Sequence, residues 1–404
     1  MRRWVLACVV VGLALRLAFA LFYWVDQPLT HDEREYLALA RSVARGTGFH
    51  YPADEPRPGT AQQFGRAPGY PLFLAAAGVR EPTEHAPRRV QIAQASVGAL
   101  IVWLIASIAS RAAGPHAGVT AAAIAAVYPP LVWMPAYVLS ETVFSALALG
   151  VARLLQASRL GTPRLSPALL LAALLTGAAI LTRPVMIFFL PFAAWWLWRS
   201  SRIADAALFV LLAAVCVAPW TIRNHRVHGR WIAVASEGGV TFWTGNHPLA
   251  VGDGDLAANP AIKIAELQFR AAHPDLSAEA LEPIYYRDAL NWIRSDPGAW
   301  LWLLARKAFY TVVPAGPSYA VHSRKYVVAS VAAYLTILSA AVAGAWRWRK
   351  TGRAGPVPLW LMAASTVMAG LVFFPQERFR IPVIDPALIV TAALPSRLRL
   401  RAEQ

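Results

Sequence analysis

Charge is scarce in this sequence, and negative charge scarcer still. Only 15% of the 404 residues are Asp, Glu, Lys or Arg, with 22 acids against 38 Lys and Arg. A soluble domain carries about 25% charged residues, so a water-soluble globular protein is excluded. Cysteine is nearly absent: Cys8 and Cys216 both lie inside apolar runs. That excludes a disulfide framework and a thiolate metal site. His225, His228 and His247 cluster in sequence, but their spacing fits no common zinc pattern. No internal repeat and no low-complexity tract is visible, and the lack of an inverted repeat weighs against a secondary transporter.

Apolar residues are plentiful. They make up 57% of the chain, and the mean hydropathy is +0.45. This is the composition of an all-α polytopic membrane protein. The 16 Trp and 12 Tyr suit aromatic anchoring at two interfaces. A net charge of +16 fits basic loops that set topology and meet anionic headgroups, and calls for no nucleic acid partner.

Segments long enough to cross a bilayer need about 20 apolar residues. The first is 4–25, a retained span rather than a cleaved leader, because the apolar run continues past Ala18-Phe19-Ala20. Its Arg16 should face the helix bundle. Further spans fall at 90–110, 119–134 (broken by Pro129-Pro130), 138–154, 166–181, 185–198, 204–219, 326–346, 357–374 and 381–394. About ten spans result, forming one membrane domain over 1–404. Within it lie a first outer loop at 26–89, a second outer segment at 221–325 and C-terminal spans at 326–404. Short basic loops place both termini in the cytoplasm and both large polar segments outside. The stretch 71–79 is apolar but too short to span, and 299–313 holds Arg306 and Lys307; both read as interfacial.

The chemistry concentrates where the chain first leaves the membrane. Asp32 and Glu33 sit at the start of a short amphipathic helix closed by Gly46 and Gly48. Acids at a lipid boundary are costly unless paired or functional. Thr30-x-x-Glu33 is also a capping box, the more ordinary role for Glu33. Three more polar segments reach the same outer face: Arg66 to Pro71; Pro219 to Arg226, with Arg223 and Arg226; and Glu377 to Pro382, with Arg378 and Arg380. Arginines suit bidentate recognition of a carrier phosphate, although Arg223 and Arg226 also suit snorkelling to headgroups. Glu141 lies at the outer start of a span, where a helix-start acid is expected. Asp253-Gly254-Asp255 has hard oxygen ligands for a divalent metal, but Gly252-Asp253-Gly254 also reads as a turn.

Four motifs occur in order. They are Asp32-Glu33 with Tyr36 and Ala40-Arg41; Arg66-Ala67-Pro68-Gly69-Tyr70-Pro71-Leu72; Pro219-Trp220-Thr221-Ile222-Arg223-Asn224 followed by Gly238-Gly239 and Trp243-Thr244-Gly245-Asn246; and Arg378-Phe379-Arg380-Ile381-Pro382. Together they resemble the polytopic membrane glycosyltransferases that use lipid-linked sugar donors (the GT-C fold), a group including lipid A aminoarabinose transferases and protein O-mannosyltransferases. The resemblance implies an extracytoplasmic active site, a polyprenyl-phosphate-sugar donor, Asp32 as the catalytic aspartate and Arg66 as the contact to the carrier phosphate. Tyr36, Tyr70, Glu141 and Asn246 become candidates for substrate contact. Aminoarabinose transferases carry Glu where this chain has Gly65, so the sugar stays open. The resemblance does not reach their C-terminal portion, so it names no acceptor among envelope lipids, glycans and proteins. Asp32 would deprotonate an acceptor hydroxyl, arginines would stabilise the leaving phosphate, and attack opposite that phosphate would invert the anomeric centre. Two other classes stay in view: a flippase for lipid-linked glycans, and a non-catalytic lipid-binding subunit for which Asp32 is dispensable.

Overall fold

The computed structural model describes residues 1–51, 65–158, 166–200, 202–254, 256–317, 319 and 322–395. Asp255 lies outside them. The helices are α1 (Arg2–Ala18), α2 (His31–Ala44), α3 (Gly69–Ala76), α4 (Arg88–Ala113), α5 (Pro115–Val127), α6 (Pro129–Trp133), α7 (Glu141–Ala157), α8 (Pro167–Thr182) and α9 (Phe189–Ser200). They continue as α10 (Ile203–His228), α11 (Gly238–Gly245), α12 (Pro260–Ala271), α13 (Ala278–Ser295), α14 (Pro297–Val312), α15 (Arg324–Arg349), α16 (Val357–Val372), α17 (Glu377–Arg380) and α18 (Ile384–Ala393). No strand occurs among the described residues, only an isolated bridge between Pro28 and His85.

Among the described residues four stretches are long and apolar enough to cross a membrane: Arg2–Tyr23, Arg88–Ala113, Ile203–His228 and Arg324–Arg349. A fifth counts if Pro115–Val127 and Pro129–Ala136, bent by 66°, are one span. The other expected spans are shorter helices. At 16 residues, α8 and α16 are about 24 Å long against a hydrocarbon core of about 30 Å. Prolines at 184, 358 and 375 start or stop these pieces, which is why apolar runs in sequence overstate the helices.

The bend between α5 and α6 has an identifiable partner. Pro129 and Pro130 lack amide hydrogens, so the carbonyls of Ala125 and Ala126 lose their helical donors. The Arg16 guanidinium supplies replacements, with Nη2 donating to Ala125 O at 3.2 Å and Nη1 to Ala126 O at 3.4 Å. Arg16 is 1% exposed, and a Cβ at Gly98 on α4 would stand 2.7 Å from its Cδ. The arginine faces the bundle, as its position in the first span requires.

A second docking point works the same way. Pro375 leaves Leu371 O without a donor at the end of α16; Lys307 Nζ donates to it at 3.1 Å and to Asn246 Oδ1 at 3.0 Å. Asn246 Nδ2 donates to Val372 O at 2.9 Å, and Trp300 Nε1 to Asn246 Oδ1 at 3.1 Å. Helices α11 and α14 are thereby fixed to α16. Helix α11 packs with α12 and α13 around a small core of Trp243, Ile262, Leu281, Tyr285 and Ala289. The alternating residues 230–234 form no strand. They run back along the end of α10, whose Trp220, Thr221 and Asn224 side chains donate to carbonyls of that segment.

Candidate active site

The site starts with the cap of α2. Thr30 accepts from the Glu33 amide, and Glu33 Oε2 accepts from the Thr30 amide at 2.8 Å. Glu33 Oε1 accepts from the Val138 amide at 2.8 Å. Both carboxylate oxygens are thus occupied by backbone, and Glu33 is 3% exposed. Glu33 is therefore held as the cap of α2 and against Val138, the more ordinary of the roles open to it. Successive helical residues point about 100° apart, so Asp32 faces elsewhere. It lines a cavity of about 1040 Å³.

There Asp32 is held between two arginines from opposite ends of the chain. Oδ1 accepts from Arg66 Nη2 and Oδ2 from Arg378 Nη2, each at 2.8 Å. Burial opposes the charged form of Asp32, but Arg66 and then Arg378 outweigh it and hold the carboxyl well below the usual carboxylate range. Arg66 binds two further acids. Its Nε donates to Glu35 Oε2 at 2.8 Å, its Nη2 also contacts Glu35, and its Nη1 lies 2.9 Å from Glu237 Oε2. Glu35 is three residues from Asp32, on the same helix face. Although burial pushes upward, Arg66 and His31 lower the Glu35 pKa. Its hydrogen bond to His31 raises the imidazole. Burial pushes Glu237 upward, against the pull of Arg66 and with the push of Asp32 and Glu35.

A third arginine enters from the turn after α8. A Cβ at Gly69 would stand 2.9 Å from Leu181 O, so this glycine lets the Arg66 segment approach that turn. Arg183 Nη1 lies 2.8 Å from Glu141 Oε1 and donates to Ser140 Oγ at 3.0 Å. Arg183 and Arg378 both lie near the Phe379 ring, at 5.1 and 5.3 Å from its centroid. Arg378 Nε donates to Gln376 Oε1 at 3.0 Å. Nη2 of Arg183 and Nη1 of Arg378 have no carboxylate partner among the described residues. Donors therefore remain on these two guanidinium groups at one wall of the cavity.

Of the residues singled out from sequence, Asp32, Arg66, Arg378, Tyr36 and Glu141 meet around this cavity, with Arg66 5.3 Å above the Tyr36 ring. Arg380 lines it too, but its Nε is held by Asp385 at 3.1 Å. Tyr70 lies in the core, edge-on to Tyr36 and donating to Gln94 at 2.9 Å. Asn246 is the docking residue described above. Arg223 stacks on Trp220 and donates to Phe49 O at 2.9 Å, beside a smaller cavity of about 440 Å³ behind Arg66. Arg226 is exposed and lines neither cavity. Asp253 lines the main cavity, and no group of three metal-binding side chains occurs among the described residues. The sequence reading missed Glu35, Glu237 and Arg183. Glu35 carried a signal, the three-residue spacing from Asp32.

The fold matches solved structures. The archaeal oligosaccharyltransferase AglB from Archaeoglobus fulgidus, solved with an inhibitory peptide and a dolichol-phosphate, superposes on 100% of this chain with a TM-score of 0.54 at 11% identity. The same enzyme tethered to an acceptor peptide gives 0.55 over 99% of the chain at 12% identity. The chain has the GT-C fold. It spans about half the length of that enzyme, 51%. ArnT from Cupriavidus metallidurans bound to undecaprenyl phosphate matches more loosely, with a TM-score of 0.42 at 18% identity over 98% of this chain and 77% of that one; the fold rests on the oligosaccharyltransferase. No protein-family profile and no curated protein matches the chain by sequence. Apolar helices together with this fold make it a multi-pass membrane protein.

Proposed function

We propose that the protein transfers a sugar from a polyprenyl-phosphate donor to a hydroxyl of a cell-envelope acceptor, at the extracytoplasmic face and with inversion. The observation that carries this reading is Asp32, whose two oxygens are held by Arg66 and Arg378 at the wall of a large cavity. An aspartate so paired is a weak base. A phosphate that draws Arg378 onto itself removes one of the two charges depressing Asp32 and makes it more basic. Donor binding then prepares the group that accepts the acceptor's proton. Arg183 and Arg378, with donors available, hold the leaving phosphate and stabilise its developing charge. Arg66, with three carboxylates on it, fixes Asp32 in place and leaves the phosphate to the other two. The neighbouring fold supports a lipid-linked donor, since AglB was solved with dolichol-phosphate.

The test is release of labelled sugar from a polyprenyl-phosphate-sugar by the purified wild-type protein and its Asp32→Asn variant. The reading expects release by the first and none above background by the second. Equal turnover by the two removes Asp32 as base. Movement of the intact lipid between leaflets without release would favour a flippase.

A further inference from the structure

The turn that carries Arg378 cannot hold its own direction. Helix α17 has four residues, Glu377–Arg380, and a single turn makes too few backbone hydrogen bonds to be stable alone. Pro375 and Pro382 flank it. The aim of Arg378 must therefore come from what α17 packs against. Residues 378 and 380 stand about 200° apart around a helix, so Arg380 points into the C-terminal bundle while Arg378 points at Asp32. Arg380 is 5% exposed, and Asp385 on α18 is 0% exposed. Both oxygens of Asp385 are used. Oδ1 accepts from Arg380 Nε at 3.1 Å, and Oδ2 accepts from the Tyr128 hydroxyl at 2.9 Å. Tyr128 is the residue between α5 and α6, at the bend that Arg16 supports. Arg380 also lies 3.5 Å over the Tyr334 ring, and its Nη1 donates to the Tyr319 hydroxyl at 3.4 Å. On either side, Ser330 Oγ donates to Glu377 Oε1, and Ser145 Oγ donates to Pro382 O at 2.7 Å.

These contacts clamp one turn to α7, α15, α18 and the end of α5. A buried ion pair is a poor source of stability, because well-packed apolar residues of the same volume hold a fold as firmly or more so. What the pair of Arg380 and Asp385 supplies is a single geometry, since a guanidinium fork and a carboxylate meet in few orientations. We propose that Asp385, itself fixed by Tyr128, is the positioning residue for Arg378: it locks Arg380 into the bundle, so that the turn presents Arg378 to Asp32 and to the carrier phosphate. This rests on the reading of Arg378 as a phosphate-binding cation. The tolerance for error is small, because a misplacement of about 1 Å can cost about 10²-fold in rate. Arg66 needs no such device, as three carboxylates already hold it. Arg378 has only Asp32 at 2.8 Å and Glu141 at 3.9 Å, and both lie on the cavity side.

The test is a double-mutant cycle on the full-length protein in nanodiscs. It reads affinity for undecaprenyl phosphate and release of labelled sugar from a polyprenyl-phosphate-sugar. Asp385→Asn keeps the side-chain shape and removes the charge that holds Arg380. Tyr128→Phe keeps the ion pair and removes one hydroxyl, so it carries the test if the first variant does not fold. In the wild-type background, Tyr128→Phe should weaken undecaprenyl phosphate binding and sugar release about three- to tenfold. Asp385→Asn should lower release about 10- to 10²-fold. In the Arg378→Gln background, each substitution should change both readouts by less than about twofold, because the group it aims is gone. Equal losses in the two backgrounds mean a packing role and overturn the proposal. Unchanged affinity and release in the wild-type background also overturn it. An Arg378→Gln variant that itself leaves both readouts unchanged takes down the phosphate reading of the cavity, and the positioning role with it.

Discussion

Arg66 and Arg378 hold the two oxygens of one carboxylate at the same distance, yet they come from unlike surroundings. Arg66 precedes α3 in the loop between α2 and α3 and meets Asp32, Glu35 and Glu237; its side chain is 14% exposed. Arg378 belongs to a single turn between two C-terminal helices, meets Asp32 directly and Glu141 only at 3.9 Å, and is 36% exposed. The first has little donor capacity left, and it neutralises acids that would otherwise repel one another across α2 and α11. The second keeps donors facing the cavity. Equal geometry at Asp32 therefore conceals a division between a structural cation and one available to a ligand.

That division can be broken at either end. Asp32→Asn should produce the largest effect, a loss of about 10²- to 10⁴-fold in sugar release, with insertion unchanged and Tm lowered because two guanidinium groups lose a charged partner; retained turnover would leave both arginines without a catalytic object. Arg66→Met comes next. Removing the cation from buried acids should lower stability by about 3–5 kcal/mol, read as a fall in Tm. Because Asp32 and Glu35 have depressed pKa values in the presence of Arg66, their stabilisation is present above the unfolded carboxylate pKa and lost on acidification. The gap in Tm between Arg66→Met and wild type should accordingly hold from pH 8 to pH 5 and narrow only below about pH 4.5, where the unfolded carboxylates begin to protonate. A gap that widens would contradict the structural role. Arg378→Gln should reduce sugar release about 10²-fold and shift stability by less than about 1 kcal/mol, as suits a partly exposed pair. Loss of fold in this variant would erase the distinction from Arg66.

The smallest effect belongs to the helices that pack beside the cavity, α11 to α13. Burial pushes Glu282 on α13 up to about 7, with Glu279 and Glu237 adding and the Gly239 amide opposing. A raised acid stabilises the folded state below the unfolded pKa and loses that stabilisation as pH rises toward 7. Glu282→Gln should therefore raise Tm at pH 8 and leave it nearly unchanged at pH 5, in a thermal scan of the purified protein. A uniform shift at both values would mean that Glu282 does not titrate in that range.

The membrane class, the helical fold and five residues that line the main cavity were legible in the sequence, because apolar runs and polar breaks are local signals. The cap of α2 was legible too, since Thr30 and Glu33 carry it within one turn. What failed was orientation. Asp32 and Glu33 are neighbours in sequence and about a quarter-turn apart on the helix, and only the fold decides which one sees the cavity. Arg223 and Asn246 sit in suggestive motifs, yet each is used to hold loops, one at Phe49 and the other at the end of α16. Arg183 occupies a three-residue break between apolar stretches, where nothing local marks it as different from a topological charge. Helix length alone reaches fewer than ten spans for a related reason: proline interrupts helices without interrupting hydrophobicity.

The bridge from Arg16 to the carbonyls before Pro129-Pro130 also sets a timetable for biogenesis. Until the ribosome has delivered residue 126, the leading helix carries a cation whose interhelical acceptors do not yet exist, at about 2.5–3.5 kcal/mol for an arginine near mid-bilayer. The opening segment is thus poised to linger beside the insertion machinery and to settle only when the kinked hairpin arrives. A leucine at that position would release the first segment early and leave the kink to find other donors.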